Sequence, residues 1–344
     1  MSDDCGVVTS PEPDRRIVAV GCRDHPTRIW DTSRDQLLAE LPSVSRVDGD
    51  FTSAFPAVSE AGDRAAIARG NAVEVYELPG GRLLRTIAHA APVNSVAFAS
   101  TGRDIVSGAV DGSLLVSRDN GAQLVLPKSS GGIDAAAFLP DGRVVASDAQ
   151  RRLRVYDPAG AVLADLEIPV RAMSLRSDGT RLVTIPIYAG NAGPPVLLDL
   201  ERYRVIAQLD GHVGRVFSAR WVAGGRILTA GGDGTVRLWD GSTGQLRQIY
   251  RGSPRLLADA TLSPDGLLVM AGGGDGVLRF WDPTSGRLLW ALQAHKSHLI
   301  GIHVEGKDIV TRGFSGELSR WTLPNSEHVI EACSAQQRCA IIRK

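Results

Sequence analysis

The sequence predicts an all-β fold made of one four-stranded unit used many times, and three observations carry that reading. First, an aromatic–acid pair recurs at Trp30-Asp31, Tyr76-Glu77, Tyr156-Asp157, Trp239-Asp240 and Trp281-Asp282, with degenerate copies at Ser117-Arg118, Leu198-Asp199 and Trp321-Thr322. These marks stand 39 to 46 residues apart, and a period of that length means one supersecondary unit repeated along the chain. Second, Asp-Gly turns lie between short apolar runs, most clearly in Gly231-Gly232-Asp233-Gly234-Thr235-Val236-Arg237-Leu238-Trp239-Asp240 and its copy Gly273 to Asp282. Such turns take the positive φ that matches the twist of two paired strands. Third, Gly (38) and Pro (18) punctuate the apolar runs while amphipathic helical stretches are scarce, the composition of a strand-and-turn chain.

The elements follow in chain order. The first unit reads as strands over 7–10, 16–21, 27–31 and 36–41. The seventh reads as Leu257 to Ser263, a Pro264-Asp265-Gly266 turn, Leu267 to Ala271, the Asp275-Gly276 turn, Val277 to Trp281, and Arg287 to Leu292. The turn before the second strand recurs as Pro140-Asp141-Gly142, Ser177-Asp178-Gly179, Ala61-Gly62-Asp63 and Thr101-Gly102-Arg103. Four antiparallel strands per unit, repeated radially, describe a β-propeller. Its blades are expected at about 5–44, 50–88, 92–127, 132–168, 170–210, 214–251, 255–293 and 298–342, as one domain over 1–344. Eight blades is the expectation and seven the alternative. The fourth strand of the eighth unit would come from His328 to Cys333 or from Cys339 to Ile342. The termini should then meet, because an unclosed ring leaves bare strand edges.

The sixth unit resembles the WD-repeat family, and the likeness runs over essentially the whole chain. Gly211-His212 opens that unit and Trp239-Asp240 closes its third strand. The resemblance implies a buried polar tetrad, which maps onto His212, Thr229, Asp233 and Trp239. The third unit keeps His89, Ser107 and Asp111 but has Ser117 where the Trp belongs. The eighth keeps His295, Thr311 and Trp321 with Ser315 in place of the Asp, the seventh keeps Asp275 and Trp281, and the first keeps Asp24 and Trp30. Independently of the family, a buried Asp is costly unless hydrogen-bonded, and a His, a hydroxyl and an indole N–H supply donors. The sixth blade is therefore expected to be the most rigid, and the second, fourth and fifth looser.

Composition narrows the function classes. Net charge is zero with pI near 7.1, so nothing draws the chain globally to nucleic acid or an anionic membrane, and neither is expected as a partner. Of the 38 basic residues only Lys128, Lys296, Lys307 and Lys344 are Lys, a bias that suggests a GC-rich coding genome and a bacterial source. The start, Met1-Ser2-Asp3-Asp4-Cys5, has no apolar signal region, and no stretch is long and apolar enough to span a bilayer. Cys5, Cys22, Cys333 and Cys339 are too few for a disulfide framework, so a cytoplasmic location is the default, with a Cys333–Cys339 staple as the alternative in an oxidising compartment.

Candidate chemistry is thin. His89, His212 and His295 occupy equivalent places in different repeats, which suits a structural role better than convergence on a metal. His295, His298 and His303 lie close in sequence, but the segment passes from a loop into a strand, so the side chains should diverge and no metal is expected. Gly272 to Gly276 imitates a phosphate cradle but leads into a strand and lacks a following Gly-Lys-Ser/Thr. No nucleophile elbow or zinc-protease motif occurs, and no cofactor is expected. The leading expectation is a non-catalytic scaffold that binds a protein or peptide on one propeller face, alone or as the sensory portion of a larger signalling protein. A channel-centred enzyme or small-molecule binder, and a self-association module, are the alternatives. The family resemblance implies docking on the face that holds the inter-blade loops, and by register with His212 and Val216 the ring there should hold Asn94, Asp134, Arg171, Phe217 and Ile300, with Arg215, His298 and Pro92 one step outward. The alternative is that these residues line a water-filled channel. A longer loop over Tyr188 to Pro195 replaces the tight turn of the fifth unit and could add a contact.

Overall fold

The computed structural model describes residues 5–9, 17–22, 26–31, 34, 36–43, 56–100, 102–170, 172–186, 193–305, 308–315 and 317–323. Among them there is no helix, and the strands form eight antiparallel sheets. The first sheet holds β1 (Cys5–Thr9), β2 (Ile17–Cys22), β3 (Thr27–Asp31) and β4 (Gln36–Leu41). The second holds β5 (Ala57–Val58), β6 (Arg64–Arg69), β7 (Ala72–Glu77) and β8 (Leu83–Ala88). β9 (Val93–Phe98) to β12 (Gln123–Leu126) make the third, and β13 (Ile133–Phe138) to β16 (Val162–Glu167) the fourth. The fifth runs from β17 (Ala172–Leu175) to β20 (Arg204–Gln208). The sixth consists of β21 (Val216–Val222), β22 (Arg226–Gly231), β23 (Val236–Asp240) and β24 (Leu246–Tyr250). The seventh consists of β25 (Leu257–Leu262), β26 (Val269–Gly273), β27 (Val277–Trp281) and β28 (Leu288–Gln293). The eighth shows β29 (Leu299–Glu305), β30 (Asp308–Gly313) and β31 (Leu318–Thr322). The fold is that of a β-propeller, with about eight blades. The fourth strand anticipated for the eighth blade, the loop over 187–192, Asp24, Arg171 and Cys333 with Cys339 lie outside the described residues.

Each sheet is a meander, because its hydrogen-bonded neighbours are strands consecutive in the chain. The described chain groups into two compact units, one within Asp3–Ala172 with Ser177–Gly179 and the other within Thr180–Lys344 with Met173–Arg176. In the first unit, the first strands of successive sheets pack on one another, β9 against β13, and the same holds in the second for β21, β25 and β29. Fourth strands make no comparable contact with one another and carry exposed apolar side chains such as Leu83, Val125, Val162, Leu246 and Leu288. Sheets therefore converge at their first strands and fan apart outward.

The core lies between sheets rather than in one central mass. In the first unit, Val106, Leu114, Val116 and Leu126 of the third sheet face Ile133, Ala136, Phe138 and Tyr156 of the fourth. In the second, Leu228, Val236, Leu238 and Tyr250 meet Leu257, Ala260, Val269 and Trp281. Burying such a side chain contributes about 1.5–3 kcal/mol, so each inter-sheet layer is a sizeable source of stability. The second strands β10 (Ile105–Ala109) and β26 are covered on both faces, and both are built of small and apolar residues. In the first sheet the register sets the backbone of Cys5 opposite that of Cys22.

Candidate functional site: a buried polar chain and a set of bulges

His212 stands in the loop before β21, Thr229 on β22, Asp233 in the turn after it and Trp239 on β23. Trp239 Nε1 donates to Thr229 Oγ1 at 2.9 Å, and Thr229 Oγ1 lies 2.8 Å from His212 Nε2. His212 Nδ1 lies 2.9 and 3.1 Å from the two oxygens of Asp233. Asp233 also accepts from the Thr235 hydroxyl (2.9 Å) and from the backbone of Val213 (3.1 Å) and Thr235 (3.1 Å). Burial lowers the pKa of His212 against the opposing pull of Asp233, so the ring is neutral at physiological pH. A neutral ring has one donor and one acceptor nitrogen. With Nδ1–H turned to the carboxylate, Nε2 accepts the Thr229 hydroxyl proton, and one direction of donation runs from indole to Asp233. Burial raises the Asp233 pKa, but the hydrogen bonds from His212, Thr235 and Val213 outweigh it and keep the group ionised.

The other blades solve the same problem with different residues. In the eighth, Trp321 Nε1 donates to Thr311 Oγ1 at 2.9 Å and His295 Nε2 lies 2.9 Å from it. Its carboxylate comes from Glu317, two residues past Ser315, with Oε1 3.4 Å from His295 Nδ1 and 2.7 Å from Ser297 Oγ. In the third, His89 Nε2 lies 2.8 Å from Ser107 Oγ, while Asp111 turns away to Ser113 Oγ (2.7 Å) and Lys128 Nζ (2.9 Å). His89 Nδ1 and Ser117 Oγ there find no hydrogen-bond partner among the described residues. In the seventh, Asp275 is gripped by Arg279 (3.0 and 2.5 Å) and Trp281 Nε1 donates to the Arg251 carbonyl at 2.7 Å. In the fourth, Asp148 bonds Ser129, whose Oγ also accepts from Arg154 at 3.0 Å. Arg154, Arg237 and Arg279 each stand two residues before the aromatic of their repeat. Arg237 and Arg279 reach the turn carboxylates of their own repeats, Arg154 reaches Asp148 only through Ser129, and Arg28, at the same spacing before Trp30, pairs instead with the exposed Glu40.

The face residues fall into two groups, one in each compact unit. Asn94, Asp134, Phe217 and Ile300 share a feature that no side-chain pattern announces. Each is the extra residue of a β-bulge: the ladder steps from Val93 to Ser95, Ile133 to Ala135, Val216 to Ser218 and Leu299 to Gly301. Ala258 is the same in the seventh sheet. A bulge leaves one residue out of the ladder and re-aims its side chain. Asn94 is buried and its Nδ2 donates to the Ile133 carbonyl at 3.0 Å. Asp134 is half-buried and makes no hydrogen bond among the described residues; burial, helped by nearby Asp148, pushes its pKa up to about 6. In the second unit the exposed Arg215 guanidinium lies 5.0 Å from the centre of the half-buried Phe217 ring, and the exposed His298 ring lies 6.0 Å from that of Phe314. Phe314, 44% exposed, occupies the turn position of Gly232 and Gly274 and was missed because glycine is the norm there.

A second buried cluster sits one step along the same strands. Asp259 accepts from Ser218 Oγ, Arg220 Nη2 and the backbone of Ile302, each at 2.9 Å, and so ties β21, β25 and β29 together. Burial pushes the Arg312 pKa down to about 10, with the Asp259 charge opposing it. No group of three or more metal-ligating side chains occurs among the described residues.

Three stretches, 81–116, 203–240 and 244–282, match the family model "WD domain, G-beta repeat". The chain carries three WD repeats within a fold of the β-propeller class. The WD-repeat chain is 27% identical over 187 residues to the guanine nucleotide-binding protein subunit beta-1 of Caenorhabditis briggsae, which covers 54% of this chain and 44% of that protein. It is 20% identical over 259 residues to telomerase protein component 1 of Rattus norvegicus, covering 70% of this chain and 9% of that one. It thus spans less than half the length of either relative. The computationally designed Ika8 protein superposes with a TM-score of 0.72 at 21% identity over 94% of this chain and 98% of its own, a likeness of fold. No helix among the described residues is long and apolar enough to cross a membrane.

Proposed function

We propose that this WD-repeat protein is a non-catalytic interaction scaffold, binding a protein or peptide at the ends of its first strands where the bulge residues lie. The observation that carries the reading is the bulge. One unpaired residue in each of five sheets, at the start of the first strand, differs in chemistry from sheet to sheet while the pairing on either side of it resumes. A rigid frame bearing variable residues is the usual design of a binding surface. The buried His, Thr, Asp and Trp groups then serve to hold loops in place, and their mutual saturation leaves them poorly suited to attack a substrate. WD-repeat propellers commonly act as protein-interaction scaffolds, and one relative is by name a subunit, hence part of an assembly. The scattered cysteines favour work in a reducing cytoplasm.

The test is affinity capture with the wild type, with Phe217→Ala and with Gln245→Arg, the last on an exposed turn at the opposite end of the sixth blade. Proteins held by wild type and Gln245→Arg and released by Phe217→Ala support the reading. Release by Gln245→Arg with retention by Phe217→Ala refutes it.

A further inference from the structure

The inter-blade loops of the second unit carry charge that the fold does not use. Residues 209–215, 251–256 and 294–298 contain Arg215, Arg251, Arg255 and Lys296 against a single acid, Asp210. All four cations are exposed, and none has an ion-pair partner among the described residues. By contrast, the acids of the adjacent turns are engaged: Asp233 by His212 and Thr235, Asp275 by Arg279, and Glu317 by Ser297 and Ser315. Apolar groups lie among the cations: Val213 is 76% exposed, Phe314 44% exposed, and Phe217 and Ile300 are half-buried at their bulges.

We infer that this patch takes an extended acidic peptide segment with an interspersed leucine or aromatic side chain, an inference that rests on the scaffold reading above. Charge complementarity selects the class: guanidinium groups beside aromatic rings suit carboxylates next to apolar side chains. Face-to-face packed sheets stand roughly 10 Å apart and an extended chain advances about 3.3 Å per residue, so about six residues reach across the three loops. Arg215, held over Phe217, is already ordered to meet a carboxylate. Val213, Phe217 and Ile300 interrupt the cations, so the patch lacks the dense phosphate track of a nucleic-acid surface.

The test uses the full chain. An array of synthetic octapeptides, each position randomised in turn, is probed with the fluorescently tagged protein. Fluorescence anisotropy follows on the best peptide and on a labelled single-stranded oligonucleotide. The expected result is a preference for Asp and Glu flanking an apolar position, weaker binding at higher salt, and a loss of about tenfold or more in Arg215→Glu/Arg255→Glu with circular dichroism unchanged. No acidic preference, unchanged affinity in the double variant, or tighter binding of the oligonucleotide overturns the inference. Non-acidic peptides released by Phe217→Ala would leave the docking face standing and remove only the acidic partner. No response to either variant would remove both.

Discussion

Thr229 is the keystone of the sixth blade, and replacing it by Val tests the whole account of the buried chain. The side chain is fully buried, and its hydroxyl meets both Trp239 Nε1 and His212 Nε2. Valine keeps the shape and the strand preference, so only the polar contacts are lost. Two buried groups then lack partners, each costing roughly 1–3 kcal/mol, so Thr229→Val should destabilise by about 2–4 kcal/mol with partial relaxation. Thr311→Val should cost about the same, because Trp321 and His295 bracket that hydroxyl in the same way. Ser107→Ala strands only His89 and should cost about 1–2 kcal/mol. The assay is urea unfolding followed by tryptophan fluorescence and circular dichroism, with equal m-values required for the comparison. If Ser107→Ala costs as much as Thr229→Val, or if Thr229→Val is neutral, hydrogen-bond saturation is not what holds these blades.

Three further outcomes follow from other contacts. Asp134 has a folded pKa raised to about 6 against an unfolded value of about 3.9, so folding favours its protonated form. Its contribution is fully favourable below the unfolded pKa and fades as pH rises through 6, and Asp134→Asn should raise the unfolding midpoint at pH 7.5 and leave it nearly unchanged at pH 4. Glu317→Ala removes the acceptor of Ser297 and the neighbour of His295, and should cost about 0.5–1.5 kcal/mol in the same urea assay, with Glu317→Asp intermediate. Gly108→Ala would drive a methyl into the side chain of Ile133 across the inter-sheet layer and should cost about 1–3 kcal/mol, whereas Gly102→Ala meets nothing nearby and should be close to neutral by thermal melting.

Much of the fold was legible because the signals were local and repeated. Asp-Gly turns and a constant period placed 27–31 and 36–41 as strands with the bounds that β3 and β4 have. In the seventh unit the second strand was read two residues early, since Leu267 belongs to the turn held by Asp265 and apolar character alone does not mark where pairing begins. The sixth-blade hydrogen bonds join residues named beforehand because all four keep the family spacing. Glu317, Asp148 and Arg279 were not named, because each does the work of the missing group from a different position in the repeat. A motif records which residue usually occupies a place, whereas the physical requirement is only that a carboxylate reach a donor. The bulges were invisible for another reason. The extra residue is defined by the partner strand's register, which no single strand spells out.

Asn94, Asp134, Phe217, Ala258 and Ile300 hold one structural place with five chemistries. That place contributes nothing to the ladder, so at Phe217, Ala258 and Ile300 a codon change alters what the blade presents while the strand pairing around it is kept, whereas Asn94 is buried and also bonds the Ile133 carbonyl. In the second unit, mutation can thus rewrite the display one letter at a time with the ladder undisturbed.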